Sequence, residues 1–173
     1  MDASIRRVVL IGFRGAGKST LARALAVETK WPVVSTDERV EKLIELKIAE
    51  IVDKFGWAKF RDFETKVLRE TSRKTQIIVD CGGGVIENSQ NMEILRPQSL
   101  VVWVDAAPDI ILKRLESNKE RPLLTEAGWK PDVWVHYFRR KPLYEKYSDL
   151  RIDTGTVSHD QNIETIMKEL RKK

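Results

Sequence analysis

Residues 12–20 read GFRGAGKST, and Gly12, Gly17, Lys18 and Ser19 satisfy G-x-x-x-x-G-K-[ST], a pattern whose spacing suits the phosphates of a nucleotide. Gly15, Ala16 and Gly17 carry little or no side chain, so their backbone N–H groups can turn inward around phosphate oxygens. The helix expected to follow in LARALA adds the positive end of its dipole. Lys18 is placed to reach the β- and γ-phosphates, Ser19 to ligate Mg²⁺, and Thr20 to complete the nucleotide-binding loop, which makes ATP and Mg²⁺ the implied cofactors. A turn that merely packed tightly would not require a lysine and a hydroxyl at these two positions. Arg14 precedes the inward-turning glycines and is read as facing solvent.

A second stretch, QIIVDCGGG over 76–84, ends an apolar run in a carboxylate, a thiol and three glycines. Each glycine costs backbone entropy, so three in succession imply that something approaches the main chain closely. Cys81 is read as a small apolar residue at a strand end, with no chemistry of its own. His136 and His159 have no carboxylate or cysteine constellation around them, and neither reads as a metal ligand.

Such residues need a scaffold to bring them together. Five short apolar runs, RVVLI (7–11), WPVVS (31–35), QIIVD (76–80), SLVVWV (99–104) and LRID (150–153), alternate with longer segments of helical spacing. That alternation predicts an α/β fold, a parallel sheet covered by helices. Phe60, Phe63, Val67 and Leu68 share one helical face and Ile163, Ile166, Met167 and Leu170 another, and both are expected to pack on the sheet. With 173 residues, 42% hydrophobic and 33% charged, the chain suits one soluble domain over 1–173. Residues 116–131, ESNKERPLLTEAGWKP, lose the helical pattern and form a candidate lid.

The net charge of +5 favours an anionic partner. Basic residues are interspersed with acidic ones, which points to a small anion and away from nucleic acid, and no membrane partner is expected. One cysteine permits no intramolecular disulfide, and the apolar run near the N-terminus is too short for a signal peptide or membrane span. A cytoplasmic location and a monomeric state are the expectations.

Taken in order, GFRGAGKST, STDERVE, IAEIVDKFGWAKFRDFE, CGGGV, RPLL and RKPLY resemble the shikimate kinase family over nearly the whole chain. The resemblance implies a three-layer P-loop kinase fold with strand order 2-3-1-4-5, acceptor-binding helices at about 37–64, and a lid. It implies ATP-dependent phosphorylation of the shikimate 3-hydroxyl, giving shikimate 3-phosphate and ADP, in aromatic amino acid (chorismate) biosynthesis. Arg61 and Arg140 then correspond to the pair that clamps the acceptor carboxylate, and Gly83 adds a backbone N–H. Asp37 orients the attacking hydroxyl and can accept its proton. Arg121 covers the transferred phosphoryl group on lid closure, and Arg114 stacks on adenine.

Each assignment has a plainer alternative. Asp37 could be a helix N-cap before ERVEKLIEL, Arg61 an exposed i,i+3 partner of Glu64, and Arg140 part of a solvated charge run. Arg121 could be a surface residue before a turn-forming proline. The sequence also departs from the family pattern: Ser35 stands where many members carry a metal-side aspartate, and Asp80 stands where a small or hydroxylated residue is common. The expectation is that the carboxylate has moved to the neighbouring strand, with Asp80 taking a role toward Mg²⁺. The alternative has Asp80 capping the next turn. Trp57 replaces a polar residue and DTGTVSHD lacks an arginine often found there. A kinase of another polyol or sugar acid such as gluconate, or a nucleotide-binding relative without phosphoryl transfer, are the competing functions.

Overall fold

The computed structural model describes residues 5–117 and 129–172. Five strands, β1 (Arg7–Ile11), β2 (Val33–Ser35), β3 (Ile77–Asp80), β4 (Ser99–Asp105) and β5 (Leu150–Asp153), form one parallel sheet in the order β2-β3-β1-β4-β5. Both the composition of the strands and the order match expectation. Helices lie on both sides: α1 (Lys18–Thr29), α2 (Thr36–Ile44), α3 (Ile48–Thr71), α4 (Ser89–Leu95), α5 (Pro108–Glu116), α6 (Trp129–Tyr147) and α7 (His159–Arg171). Parallel strands covered on both faces must be apolar throughout, and β1 and β3 are buried at every residue.

Three strand limits differ from the apolar runs; β3 starts at Ile77 and not at Gln76. β2 starts at Val33, after Pro32, which has no N–H for the ladder. β4 continues to Asp105, whose buried carboxylate accepts from Tyr137 (3.0 Å) and from Arg151 (2.8 Å). At the opposite end of the sheet the buried Arg7 donates to the carbonyls of Ser72, Lys74 and Pro97, which satisfies its charge with three loop acceptors.

Among the described residues the core forms two clusters. Strand residues such as Val9, Ile78 and Val102 pack with α1, α6 and α7, and Leu68 and Ile166 belong here as expected. Phe60 and Val67 do not reach the sheet. They pack with Val40 and Ile51 in a smaller cluster between α2 and α3, and Phe63 lies against it. The helix carrying them thus serves both clusters, with Leu68 in the larger and Phe60 and Val67 in the smaller. Gly56 (φ 79°) breaks α3 into two pieces and redirects the segment bearing Trp57, Phe60 and Arg61.

Candidate functional site

β1 delivers the chain to Gly12, whose φ is 146° and where a Cβ would come within 2.1 Å of the Val104 carbonyl oxygen. The loop therefore presses against β4, and only glycine fits. Gly17, at φ 99°, starts α1 in the left-handed region. Lys18 is buried and its Nζ donates to the carbonyls of Gly12 (2.9 Å) and Phe13 (3.0 Å), so the loop is closed on its own lysine. Ser19 Oγ donates to Asp80 Oδ2 at 2.6 Å. Lys18, Ser19, Thr20, Ser35, Asp37 and Asp80 line one cavity with Gly15, Gly17 and Arg114, and Ala16 is buried beneath it.

The expected neighbouring of the β2 and β3 strand ends is observed. Ser35 and Asp80 are register partners across β2 and β3. Ser35 Oγ accepts the Glu38 N–H (3.3 Å) and so is the N-cap of α2, the part that the plainer alternative gave to Asp37. Asp37 lies in the first helical turn instead. The capping alternative for Asp80 is not what is seen, since its side chain is bonded to Ser19. Thr36, between Ser35 and Asp37, is buried and accepts the Gly82 N–H at 3.0 Å, tying the end of β2 to the glycine turn.

A second cavity adjoins the first. Asp37, Trp57, Phe60, Arg61, Arg140 and Gly82 to Gly84 line it, and Arg14 and Asp37 line both cavities. Arg14 is thus not solvent-facing: it is 6% exposed, and its guanidinium lies 5.8 Å from the Phe13 ring. The tight wrap of the loop around Gly15 turns this side chain toward the junction. Trp57 is partly exposed and lines this cavity, with its ring 5.5 Å from the Arg61 guanidinium, and the Phe60 ring is 5.2 Å from it.

The glycines make room chiefly for the protein's own groups. A Cβ on Gly82 would meet Asp37 Oδ1 (2.7 Å) and Glu64 Oε1 (2.9 Å), one on Gly83 the Arg14 backbone nitrogen (3.1 Å), and one on Gly84 the Arg61 Nη2 (2.0 Å). The close approach anticipated for a ligand is in part an approach of these side chains. Tyr144, buried on α6, donates its hydroxyl to the Gly83 carbonyl and holds the turn in place.

Arg61 does pair with Glu64, at 3.0 Å, yet not on an exposed face: Glu64 is fully buried. Burial pushes the Glu64 carboxyl up to about 7, with Arg61 pulling it down and Asp37 pushing it further up. Arg140 is also buried rather than solvated, and donates to Glu87 Oε2 at 2.9 Å. Glu87 lies below the usual carboxylate range; burial pushes it up, and Arg140, Arg139 and Arg61 together outweigh that. Burial and then the charge of Asp80 raise the Cys81 thiol, which fits the absence of assigned chemistry.

Arg114 donates to the Gly15 carbonyl (3.2 Å) and to Thr154 Oγ1 and O (3.0 Å each), and Thr154 Oγ1 in turn donates to the Ala16 carbonyl at 2.6 Å. The arginine is thereby fixed beside the loop and borders a further recess with Val157, His159 and Asn162. Arg121 and most of the candidate lid lie outside the described residues. On its C-terminal side the irregular stretch is shorter than expected, because α6 begins at Trp129. Thr36, Tyr144, Thr154 and Glu87 were missed by sequence reasoning, whereas Glu64 was found through its i,i+3 spacing from Arg61. Among the described residues, no helix is long and apolar enough to cross a membrane.

A family model described as shikimate kinase matches residues 14–171. A shikimate kinase of Rhodopirellula baltica is 37% identical, covering 94% of this chain and 89% of that protein. One from Pelotomaculum thermopropionicum is 30% identical, covering 97% of each. Among solved structures, shikimate kinase from Acinetobacter baumannii in complex with shikimate superposes with a TM-score of 0.90 at 27% identity, over 98% of this chain and 95% of that one.

Proposed function

This chain belongs to the shikimate kinase family, and on that premise we propose how its two joined cavities divide the reaction. The activity is ATP-dependent transfer of a phosphoryl group to a hydroxyl of shikimate, an aromatic amino acid biosynthesis step. In our reading the acceptor is the 3-hydroxyl and the products are shikimate 3-phosphate and ADP. The observation that carries this is the position of Asp37, which lines both the cavity of Lys18 and Ser19 and the cavity of Arg61 and Arg140.

Arg61 and Arg140 hold the acceptor carboxylate with forked donors, and Gly83 supplies a main-chain N–H. Asp37 then aligns the hydroxyl toward phosphorus and takes its proton as the bond forms. Alignment and charge neutralisation do most of the work in such transfers. Gly12, Gly15, Ala16, Gly17 and Thr20 surround the phosphates, Lys18 exchanges its loop carbonyls for phosphate oxygens, and Arg114 supports the base. Arg121 is assigned the covering role on the family resemblance alone.

The hydroxyl–carboxylate pair of Ser19 and Asp80 at 2.6 Å is a hard-oxygen donor set that fits Mg²⁺. Those two residues would hold the ion, which when bound neutralises charge on the phosphates. A cytoplasmic enzyme, in keeping with the single cysteine, and a monomeric state remain part of this reading. The test is ADP release with MgATP against a panel of shikimate, quinate and gluconate. The reading expects shikimate to be preferred by a wide margin. Preference for gluconate, or ATP binding without turnover on any acceptor, would replace it with one of the alternatives.

A further inference from the structure

Glu87 closes the short 3-10 turn Val85–Glu87 that follows the triple glycine, and one carboxylate there gathers three guanidinium groups. Its Oε2 lies 2.9 Å from Arg140 Nη2 and 3.6 Å from Arg61 Nη2, and its Oε1 accepts from Arg139. The first two are the arginines to which the preceding section gives the acceptor carboxylate. They come from different elements, Arg61 from α3 and Arg140 from α6, and they converge on the same oxygen.

The side from which Glu87 acts is what gives it meaning. Arg61, Arg140 and Trp57 form a wall shared by two recesses. Asp37 and the glycine turn face one recess; Glu87, Asn88, His136 and Arg139 face the other. Glu87 therefore backs the arginine pair from behind and leaves the acceptor recess clear. Two guanidinium groups that must converge on one ligand carboxylate repel each other, and an anion between their rear edges offsets that repulsion in advance. Glu64 ion-pairs with Arg61, within α3. Among the described residues, Glu87 is the carboxylate that ion-pairs with both.

We propose that Glu87 is a positioning residue for acceptor binding: it locks Arg61 and Arg140 into a preformed carboxylate clamp by holding both from the face opposite the substrate. The proposal rests on the reading that these arginines bind the acceptor carboxylate. It makes Glu87 neither a simple cross-link between α6 and the turn nor a competitor for the substrate's place.

The experiment is steady-state kinetics of Glu87→Gln and Glu87→Asp beside the parent enzyme, with thermal midpoints for all three. Gln keeps the shape and removes the charge, so KM for shikimate should rise about tenfold or more, with kcat and KM for ATP within about twofold. Asp keeps the charge on a shorter stem, and its KM should fall between parent and Gln. A lower KM for shikimate in Glu87→Gln would mean that the carboxylate competes with substrate. A lowered midpoint with unchanged KM would mean a cross-link only, and either result overturns the proposal. If Gln does not fold, Asp decides: raised KM at a parental midpoint supports the proposal, and unchanged KM overturns it. A parent enzyme that turns over no shikimate would instead defeat the functional reading beneath it.

Discussion

Replacing Asp80 by Asn tests the relocated metal carboxylate with almost no change of shape. The carboxylate accepts the Ser19 hydroxyl at 2.6 Å and is 8% exposed at the end of β3. Hydrogen bonds to ionised groups contribute about 1.5–3 kcal/mol and neutral ones about 0.5–1.5, so the pairing alone weakens by roughly 1 kcal/mol. Losing a negative charge beside a divalent ion costs about 1–2 kcal/mol in a partly screened site. The bond to Ser19 is weakened with or without the ion and so largely cancels, and the charge alone predicts a metal affinity lower by roughly 5- to 30-fold. The assays are the Mg²⁺ dependence of turnover at saturating substrates and Mn²⁺ binding to the ADP complex by calorimetry. Because Ser35 is the register partner of Asp80, adding Ser35→Asp to Asp80→Asn should recover much of the loss, aspartate being an equally good N-cap for α2. Metal dependence within twofold of the parent in Asp80→Asn would refute the reasoning and leave Asp80 as a support for Ser19 alone.

Three further outcomes follow from the acceptor side. Arg140→Lys keeps the charge and loses the fork, so KM for shikimate should rise about 10- to 100-fold with KM for ATP unchanged in the same assay. In Gly84→Ala the new Cβ meets the Arg61 Nη2 position at 2.0 Å, the tip of a flexible side chain. KM for shikimate should therefore rise about tenfold while the thermal midpoint stays within a few degrees. Glu64 carries a folded-state pKa of about 7 against an ordinary 4.5, so the folded protein binds its proton more tightly. Its stabilising contribution is full below pH 4.5 and is lost as pH rises through 7, so Glu64→Gln should gain on the parent by up to roughly 3 kcal/mol between pH 4.5 and 8. Unfolding midpoints across that range check it, and a pH-independent difference would contradict it.

Contiguous features were legible in the sequence. The phosphate loop is strand, turn and helix in one run, so the spacing of Gly12, Gly17, Lys18 and Ser19 carried its own context, and the strands were readable from apolar runs that β-branched residues dominate. The neighbouring of Ser35 and Asp80 followed once the strand order was supplied by family resemblance, which periodicity could not provide. Other features were hidden because they depend on where a side chain turns. Arg14 reads as a loop residue, and only the turn of the loop at Gly15 sends it inward. Glu87 lies in a short turn with no periodic signal, and its partners come from α3 and α6. The triple glycine signalled close approach correctly, yet the approaching groups include Asp37, Glu64 and Arg61 of the protein itself. Trp57 lines the acceptor cavity just after the break in α3 at Gly56, a break that the sequence analysis did not anticipate.

The central claim is that Asp37, Arg61 and Arg140 present one hydroxyl of a bound ring acid to the phosphate cavity. Phosphorus and proton NMR of the product formed from shikimate and MgATP tests it most directly. The account predicts one phosphate ester, with phosphorus coupled to the proton on carbon 3 and one ADP released per ester. Phosphate on another hydroxyl, or ADP accompanied only by inorganic phosphate, would contradict it.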